Sequence, residues 1–190
     1  MNFQMNRVLT HGAEACRKEE LLEIAPKLQR FDPKAWFEQW NMLARRAEAE
    51  GRLMHAAYYH RMSEFFLPEG APEKANAYED FSRCFYAATK HDDLEVFQIP
   101  YEGTSLPALR LSANDEKGVV VLHGGFDSFI EELYLYVRSF RAAGYTVIMF
   151  EGPGQGRPLQ AGLKMTHEWE KPVAAVLDFF ELEDVTDRKS

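Results

Sequence analysis

The sequence has few cysteines, no excess of basic residues and no long apolar run, and each shortage excludes a class of protein. Its only cysteines, Cys16 and Cys84, are far apart and lack the spacing of metal ligands. They predict free thiols, as in a cytoplasmic protein, and no metal site. The net charge of -8, without a cluster of Lys or Arg, argues against a nucleic-acid partner.

The chain also lacks the signals of membrane proteins and exported proteins. No apolar run approaches the length of a membrane span, and no apolar segment follows a basic start. We therefore expect no membrane insertion and no export. The hydrophobic content of 46% is ordinary for a globular protein. The expected partner is a small molecule or another protein, including a second copy in a homodimer.

The sequence of residues 1–91 predicts a helical N-terminal module. Asp32 followed by Pro33 is a helix-start signal, because the first residue can cap the helix and proline suits its first position. Apolar residues then recur at helical spacing until Gly51. Further helices are predicted over residues 14–29 (interrupted by Pro26), 52–66 and 71–88. Aromatic residues at helical spacing predict a core between these helices: Trp36, Phe37, Trp40, Tyr58, Tyr59 and Phe65.

Residues 92–190 predict a small α/β unit. Short extended runs indicate a β-hairpin, and the apolar run 119–122 predicts a buried strand. A helix and another strand follow, which together make a parallel βαβ unit. The predicted elements are a hairpin over residues 94–112, a strand over 119–122, a helix over 129–143, a strand over 145–150 and a last helix around 169–180 that leads into the tail 184–190.

The strand over residues 119–122 ends in His123-Gly124-Gly125-Phe126. Glycines after a buried strand allow the backbone to approach a ligand closely. Enzymes that attack an acyl carbon need backbone N–H groups at the developing oxyanion, and a Gly-rich loop often supplies one. We therefore predict oxyanion donors at Gly125 and Phe126. The alternative interpretation is a tight connection without a catalytic role.

A second glycine-rich run, from Glu151 to Arg157, follows the next strand. It invites comparison with the G-x-G-x-x-G turn of dinucleotide-binding folds. The third glycine of that pattern is replaced by Arg157, and Pro153 removes a backbone donor. We therefore predict that no cofactor is bound. His167-Glu168 lacks the second histidine of a zinc motif.

These motifs together resemble an α/β-hydrolase subgroup. The order of the hairpin, His123-Gly124-Gly125-Phe126 and Glu151-Gly152-Pro153-Gly154-Gln155-Gly156 is similar to that of hydrolases with a helical segment before the core. Examples are the pseudooxynicotine-type carbon-carbon hydrolases and the fungal heptaketide hydrolases. The resemblance implies a helical N-terminal module, which in such enzymes also covers the substrate pocket, followed by the first half of a hydrolase sheet.

The resemblance also implies roles for particular residues. Gly125 and Phe126 would supply oxyanion N–H groups, while His123, Gly124 and Glu132 would support the loop. The run from Glu151 to Gly156 would be mainly structural, and Glu151 would not be catalytic. Ser128 and Glu131 are better interpreted as a capping box at the next helix. The nucleophile motif G-x-S-x-G is absent from the sequence.

Family order places all three triad residues after the last residue of this chain. We therefore expect a truncated serine hydrolase that is inactive alone and would take a small-molecule substrate only when completed. The bond cleaved would be an ester or a carbon-carbon bond beside a carbonyl. The alternative is a non-enzymatic helical interaction module, although no helical repeat supports it.

Overall fold

The computed structural model describes residues 2–28, 32–183 and 186. The chain forms two compact units, Met1–Asp92 and Asp93–Ser190, which we call the helical unit and the sheet unit. The end of the helix predicted over residues 14–29, and all of the predicted tail 184–190 except residue 186, lie outside the described residues.

The helical unit contains five α-helices and one short 3-10 helix within its described part. Their bounds are α1 Asn2–Thr10, α2 Lys18–Ile24, the 3-10 helix Ala25–Leu28, α3 Pro33–Ala49, α4 Leu53–Glu64 and α5 Pro72–Ala88. The helix α1 was not predicted. The predicted start at residue 14 was wrong, because α2 begins only at Lys18, but the predicted interruption at Pro26 is confirmed, since α2 ends at Ile24 and Pro26 lies in the 3-10 helix.

The start of α3 confirms the helix signal in the sequence. Asp32 has extended backbone geometry, and its Oδ1 accepts hydrogen bonds from the N–H groups of Lys34 at 2.9 Å and Ala35 at 3.2 Å. These bonds satisfy two of the donors that a helix leaves unpaired at its N-terminus. Pro33 occupies the first turn, where its missing N–H costs nothing.

Aromatic side chains fill the core of the helical unit, as predicted. Trp36, Trp40 and Tyr59 are fully buried, and Tyr58 nearly so. The indole Nε1 of Trp36 donates to the carbonyl oxygen of Met62 at 2.5 Å, so the one polar atom of this ring is satisfied. Of the six aromatic residues in the predicted core, Phe37 and Phe65 are only half-buried.

The sheet unit contains a four-stranded mixed sheet with the strand order β1-β2-β4-β3. The bounds are β1 Leu94–Tyr101, β2 Thr104–Leu111, β3 Gly118–His123, α6 Ile130–Ala142, β4 Tyr145–Phe150, α7 Gly156–Gln160 and α8 Glu170–Phe179. β1 and β2 form the predicted antiparallel hairpin, and β2 also pairs antiparallel with β4. β3 and β4 are parallel and joined through α6, which confirms the βαβ unit.

The prediction that β3 is a buried strand was wrong. Its residues 118–122 are half-buried and His123 is exposed, because β3 is the outermost strand on its side of the described sheet. β4 lies between β2 and β3 and is buried from Thr146 to Phe150. Val119 and Val121 still pack against the core of the unit. A run of valines therefore predicted the strand but not its exposure.

The predicted capping box at α6 does not coincide with the start of the helix. The helix begins at Ile130, and its N-cap is Phe129, which makes no side-chain cap hydrogen bond. Ser128 precedes the capping position by one residue, and Glu131 is buried in the first turn of the helix. A capping box needs the hydroxyl at the N-cap itself, so the S-x-x-E pattern is one residue out of register here.

Candidate functional site

Two loops follow the parallel strands β3 and β4 at the same edge of the sheet. His123, the last residue of β3, pairs in register with Phe150, the last residue of β4. Loop 124–129 therefore begins beside loop 151–155. In open α/β sheets, ligands bind outside the carboxyl ends of the strands, which makes this edge the candidate site.

The side chain of Gln155 links the two loops. Its Nε2 donates to the carbonyl oxygens of Gly124 at 2.6 Å and Gly125 at 3.0 Å, and its Oε1 accepts from the N–H of Gly152 at 2.8 Å. The residue is 2% exposed. All three hydrogen bonds therefore lie in a site where an unsatisfied polar group is costly.

These hydrogen bonds also orient two backbone N–H groups. A planar trans peptide directs its N–H opposite to its carbonyl, and the described chain contains no cis peptide. Fixing the carbonyl of Gly124 therefore fixes the N–H of Gly125, and fixing the carbonyl of Gly125 fixes the N–H of Phe126. The Gly125 carbonyl also accepts from the N–H of Ser128 at 3.1 Å.

The two oriented N–H groups are not used within the protein. In residues 2–28, 32–183 and 186, neither Gly125 nor Phe126 donates a backbone hydrogen bond. Gly125 is exposed, and the Phe126 side chain is 71% exposed. The turn therefore presents two adjacent donors with fixed directions, which is the requirement for binding an oxyanion.

His123 supports the turn from its strand end. The indole Nε1 of Trp169 can only donate, so it donates to His123 Nε2 at 3.1 Å. The imidazole proton is then on Nδ1, which donates to the carbonyl oxygen of Gly124 at 2.9 Å. His123 thus holds the same carbonyl that Gln155 holds.

Two glycines allow side chains to pack closely against these loops. A Cβ on Gly124 would lie 2.5 Å from the Cβ of Ser128, and a Cβ on Gly152 would lie 2.6 Å from the ring of Trp169. Non-bonded carbon atoms do not approach each other this closely, so a side chain at either position would force its neighbour to move. The glycines therefore serve close packing at this edge.

The glycine-rich loop after β4 has already used most of its N–H groups. Besides Gly152, which donates to Gln155, the N–H of Gly154 donates to the Leu163 carbonyl at 2.8 Å and the N–H of Arg157 to Glu151 Oε2 at 2.9 Å. A phosphate-binding loop needs such donors directed at the ligand. Together with the five-residue length of α7, this agrees with a loop that is structural.

A buried carboxyl group lies under this loop. Glu151 is 1% exposed, and its Oε1 has no hydrogen-bond partner among the described residues. Burial raises the pKa of Glu151, and the nearby charge of Glu131 raises it further. Arg157 moderates the effect through its N–H, but the protonated carboxyl is strongly favoured. Glu132, which we predicted as loop support, is also buried in the first turn of α6.

Neither cysteine has the environment of a nucleophile. Burial raises the pKa of the Cys16 and Cys84 thiols to about 11 in each case, with a further contribution from a nearby carboxylate. A reactive cysteine needs a lowered pKa and access to solvent. Both thiols are buried in the helical unit, so they remain protonated near neutral pH.

Sequence analysis missed the two side chains that hold the turn. Gln155 was assigned only to a loop and Trp169 only to a helix, yet both bind groups around His123 and Gly124. A buried amide within a glycine-rich loop has no sequence signal of its own.

No helix in the described part of the chain combines the length and apolar character needed to cross a membrane.

Comparisons with known proteins find relatives of one functional class. A 20-hydroxy-prefusarin hydrolase from Gibberella moniliformis is 34% identical over 94% of this chain and 49% of its own length. A hydrolyase from Penicillium oxalicum is 32% identical over 94% and 49%. An α/β-hydrolase from Aspergillus fumigatus is 29% identical over 93% and 47%. The chain spans about half the length of the curated relatives it matches, and no family model matches it.

Solved structures share the fold. The protein AbyA5 superposes with a TM-score of 0.72 at 17% identity, over 93% of this chain and 51% of that one. The 2,6-dihydroxy-pseudo-oxynicotine hydrolase superposes with a TM-score of 0.70 at 20% identity, over 95% and 53%. The helices and the four-stranded mixed sheet match the fold of these two structures, and the similar sequences are those of hydrolases. The chain is similar to the α/β-hydrolases in sequence and in fold, with a helical unit ahead of an incomplete hydrolase sheet.

Proposed function

We propose that this chain supplies the helical segment and the oxyanion-binding turn of a serine hydrolase. The substrate would be a small molecule with a carbonyl group, cleaved at an ester bond or at a carbon-carbon bond beside the carbonyl. The observation that carries the proposal is the pair of oriented, unused N–H groups of Gly125 and Phe126. The hydrolase names of the relatives favour the same reaction class.

In the proposed reaction, a serine attacks the carbonyl carbon and negative charge develops on the oxygen. The N–H groups of Gly125 and Phe126 would bind that oxygen more strongly in the transition state than in the substrate. His123 and Gln155 would keep both peptides in place through their carbonyls. Gly124 would allow the close packing of the turn, and Glu132, in the first turn of α6, would support the loop.

The serine itself is not in this sequence, which contains no G-x-S-x-G motif. We therefore propose that the chain is inactive alone and that the nucleophile belongs to the portion of the relatives it does not match. The half-buried edge of β3 supports this proposal, because an apolar edge strand favours pairing with a further strand. A homodimer formed through the same edge is the alternative use of that strand.

Labelling with a fluorophosphonate probe tests whether the chain lacks the serine nucleophile. The chain alone should remain unlabelled, whereas an intact relative such as the 20-hydroxy-prefusarin hydrolase should be labelled at its serine. Stoichiometric labelling of this chain would show that a nucleophile is present and would overturn the proposal. Sedimentation of the same sample would reveal whether the chain forms a dimer.

A hybrid protein tests the role of the turn. The chain would be joined to the unmatched portion of that relative, and ester hydrolysis would be assayed in variants of Phe126. Phe126→Pro removes the N–H and should lower kcat by about 100-fold or more. Phe126→Ala keeps the N–H and removes only an exposed ring, so its kcat should stay near that of the unmodified hybrid. Equal losses in both variants would exclude Phe126 as an oxyanion donor.

A further inference from the structure

Three helices of the helical unit bring together a carboxylate, an imidazole and a thiol. Glu48 lies on α3, His60 on α4 and Cys84 on α5. One ligand atom of each residue, a carboxylate oxygen, a ring nitrogen and the Sγ atom, lies within 4.8 Å of the other two. The three residues are widely separated in sequence, so their spacing matches no metal-binding motif.

The cluster is buried and partly organised. His60 and Cys84 are fully buried, while 19% of the Glu48 side chain is exposed and provides a route to solvent. His60 Nε2 lies 2.6 Å from Glu48 Oε1. Glu48 Oε1 also accepts from Arg45 Nη1 at 3.2 Å, and the other carboxylate oxygen, Oε2, accepts from Arg83 Nη2 at 2.9 Å. This arrangement resembles the outer hydrogen bonds that orient carboxylate ligands in metal sites.

One ring nitrogen is not explained by the hydrogen bonds of the cluster. His60 Nδ1 is buried and has no hydrogen-bond partner in the described part of the chain. Buried polar atoms are nearly always satisfied, so an exception calls for a reason. An imidazole that can rotate or exchange its proton to bind a cation supplies that reason.

We propose that Glu48, His60 and Cys84 bind a divalent transition-metal ion of the zinc type. A thiolate, a neutral imidazole and a carboxylate are donors that Zn²⁺ prefers. Metal-ligand bonds of about 2.0–2.3 Å place tetrahedral ligand atoms roughly 3.5 Å apart. Small side-chain movements are therefore required, including separation of His60 from Glu48. Water fills the fourth position.

The site would join α3, α4 and α5 into one unit. Because the ion would bind the folded chain and not the unfolded one, it would raise the thermal stability of the helical unit. The competing interpretation is a buried Glu48–His60 hydrogen bond beside an inert thiol. The metal-site proposal and the competing interpretation differ in whether the Cys84 sulfur binds an added metal ion.

Titration of the whole chain with Zn²⁺ and Co²⁺ tests the proposal, using untagged protein freed of metal by dialysis. We expect roughly equimolar binding, a rise in Tm and, with Co²⁺, the near-ultraviolet charge-transfer band of a thiolate ligand. If the cobalt protein lacks that band, the proposal is overturned. This measurement needs no variant, so it decides the question even where a variant fails to fold.

Matched variants locate the site. Cys84→Ser and His60→Gln should weaken binding by roughly 100-fold and abolish the thiolate band and the rise in Tm. Cys16→Ser and His55→Gln remove the same residue types elsewhere in the helical unit, and should bind metal as the unmodified chain does. Equal affinity of the Cys84→Ser and Cys16→Ser proteins would contradict the assignment.

Discussion

The two units of the chain bury and expose their large side chains in opposite proportions. Among described residues, most of the largest fully buried side chains are in the helical unit: Trp36, Trp40, Tyr58, Tyr59, Phe81, Phe85, Ile24 and Leu43. Most exposed large apolar side chains are in the sheet unit: Val96, Phe126, Tyr136, Phe140, Tyr145, Leu159, Met165 and Phe179. The helical unit is thus the better-filled core, and the sheet unit retains surface for further contacts.

A buried carboxyl group in each unit also differs in how completely it is hydrogen-bonded. Glu20 in the helical unit accepts hydrogen bonds from Arg52 and Tyr59, and also from Arg46 at 3.3 Å. Glu151 in the sheet unit has one oxygen without a partner among the described residues. Buried charges stabilise a fold only when they are paired. The difference teaches that the buried carboxylate Glu20 is held by several donors within the helical unit, whereas Glu151, beside the candidate site, keeps an oxygen without a partner in the described part of the chain.

The largest expected effect is in the aromatic core of the helical unit. Trp36→Ala should lower the free energy of unfolding by about 3–5 kcal/mol, because it leaves a large cavity and frees the Met62 carbonyl. Urea denaturation followed by circular dichroism measures this. Met42→Ala, on the same helix but 38% exposed, should cost less than about 1 kcal/mol. Val121→Ala on the half-buried β3 should cost less than Trp36→Ala, and a larger cost would reverse the proposed difference between the units.

The next effect is on the ion-pair network around Glu20. Burial raises the pKa of Glu20, but hydrogen bonds from Tyr59 and Arg52 outweigh it, so the pKa is lowered from 4.5. The resulting stability is present above pH 4.5 and is lost as the pH falls through the lower pKa of the folded state. Glu20→Gln should cost about 2–3 kcal/mol at pH 7 and remove this acid-dependent loss.

Glu23 provides the control for that variant. It lies on the same helix, is 43% exposed and contacts Arg46 at 2.9 Å. Glu23→Gln should therefore change the unfolding free energy by less than about 1 kcal/mol. A similar cost for both variants would show that burial of Glu20 adds nothing to its ion pairs.

Glu151 should give the opposite pH response in the sheet unit. Its pKa is raised from 4.5 to about 8, mainly by burial and then by Glu131. The protonated form therefore stabilises the fold fully below pH 4.5, and this stability is lost as the pH rises through about 8. Glu151→Gln mimics the protonated carboxyl, so it should be about 2 kcal/mol more stable than the unmodified chain at pH 9.

Thermal unfolding from pH 5 to pH 9 measures this difference. Glu95→Gln is the control, because Arg110 lowers the pKa of Glu95 and its titration cannot cause an alkaline loss. The Glu95→Gln protein should still lose stability towards pH 9, and the Glu151→Gln protein should not. An alkaline loss that persists after Glu151→Gln must come from another group.

Gln155 tests whether the turn of the sheet unit depends on one side chain. Gln155→Ala should cost about 1–2 kcal/mol, since it leaves the two carbonyls with fewer donors and the Gly152 N–H without its acceptor. Amide hydrogen exchange should become faster at Gly152, which loses its acceptor, and at Ser128, whose N–H donates to the Gly125 carbonyl of the turn. Gln160→Ala, at an exposed position of α7, is the control. Unchanged exchange at the turn would show that His123 holds it without Gln155.

Sequence patterns predicted local features better than contacts between distant residues. The His-Gly-Gly turn and the βαβ unit follow from residues that are neighbours in the chain. The half-buried state of β3 depends on the strand order, because a run of valines is equally compatible with a central strand and an outer strand. The bond from Gln155 to Gly124 spans 31 residues, so no local pattern could reveal it.

Two of the predicted helix starts show the same limit on a smaller scale. The Asp32-Pro33 signal was confirmed, because a capping side chain and a proline at the first position reinforce each other. The Ser128 signal was wrong, since α6 begins one residue later. Helix boundaries are set by packing as much as by local pattern.

The smallest expected effect concerns the cap of α3, where the two units again differ. Asp32 caps α3 with two hydrogen bonds, whereas the N-cap of α6, Phe129, supplies none from its side chain. Asp32→Ala should cost about 1 kcal/mol, and Asp32→Asn, which keeps a capping oxygen, should cost only a few tenths. Both are measured by urea denaturation. If the alanine variant matched the asparagine variant, side-chain capping would not distinguish the start of α3 from that of α6, and the difference between the units would lie in their cores alone.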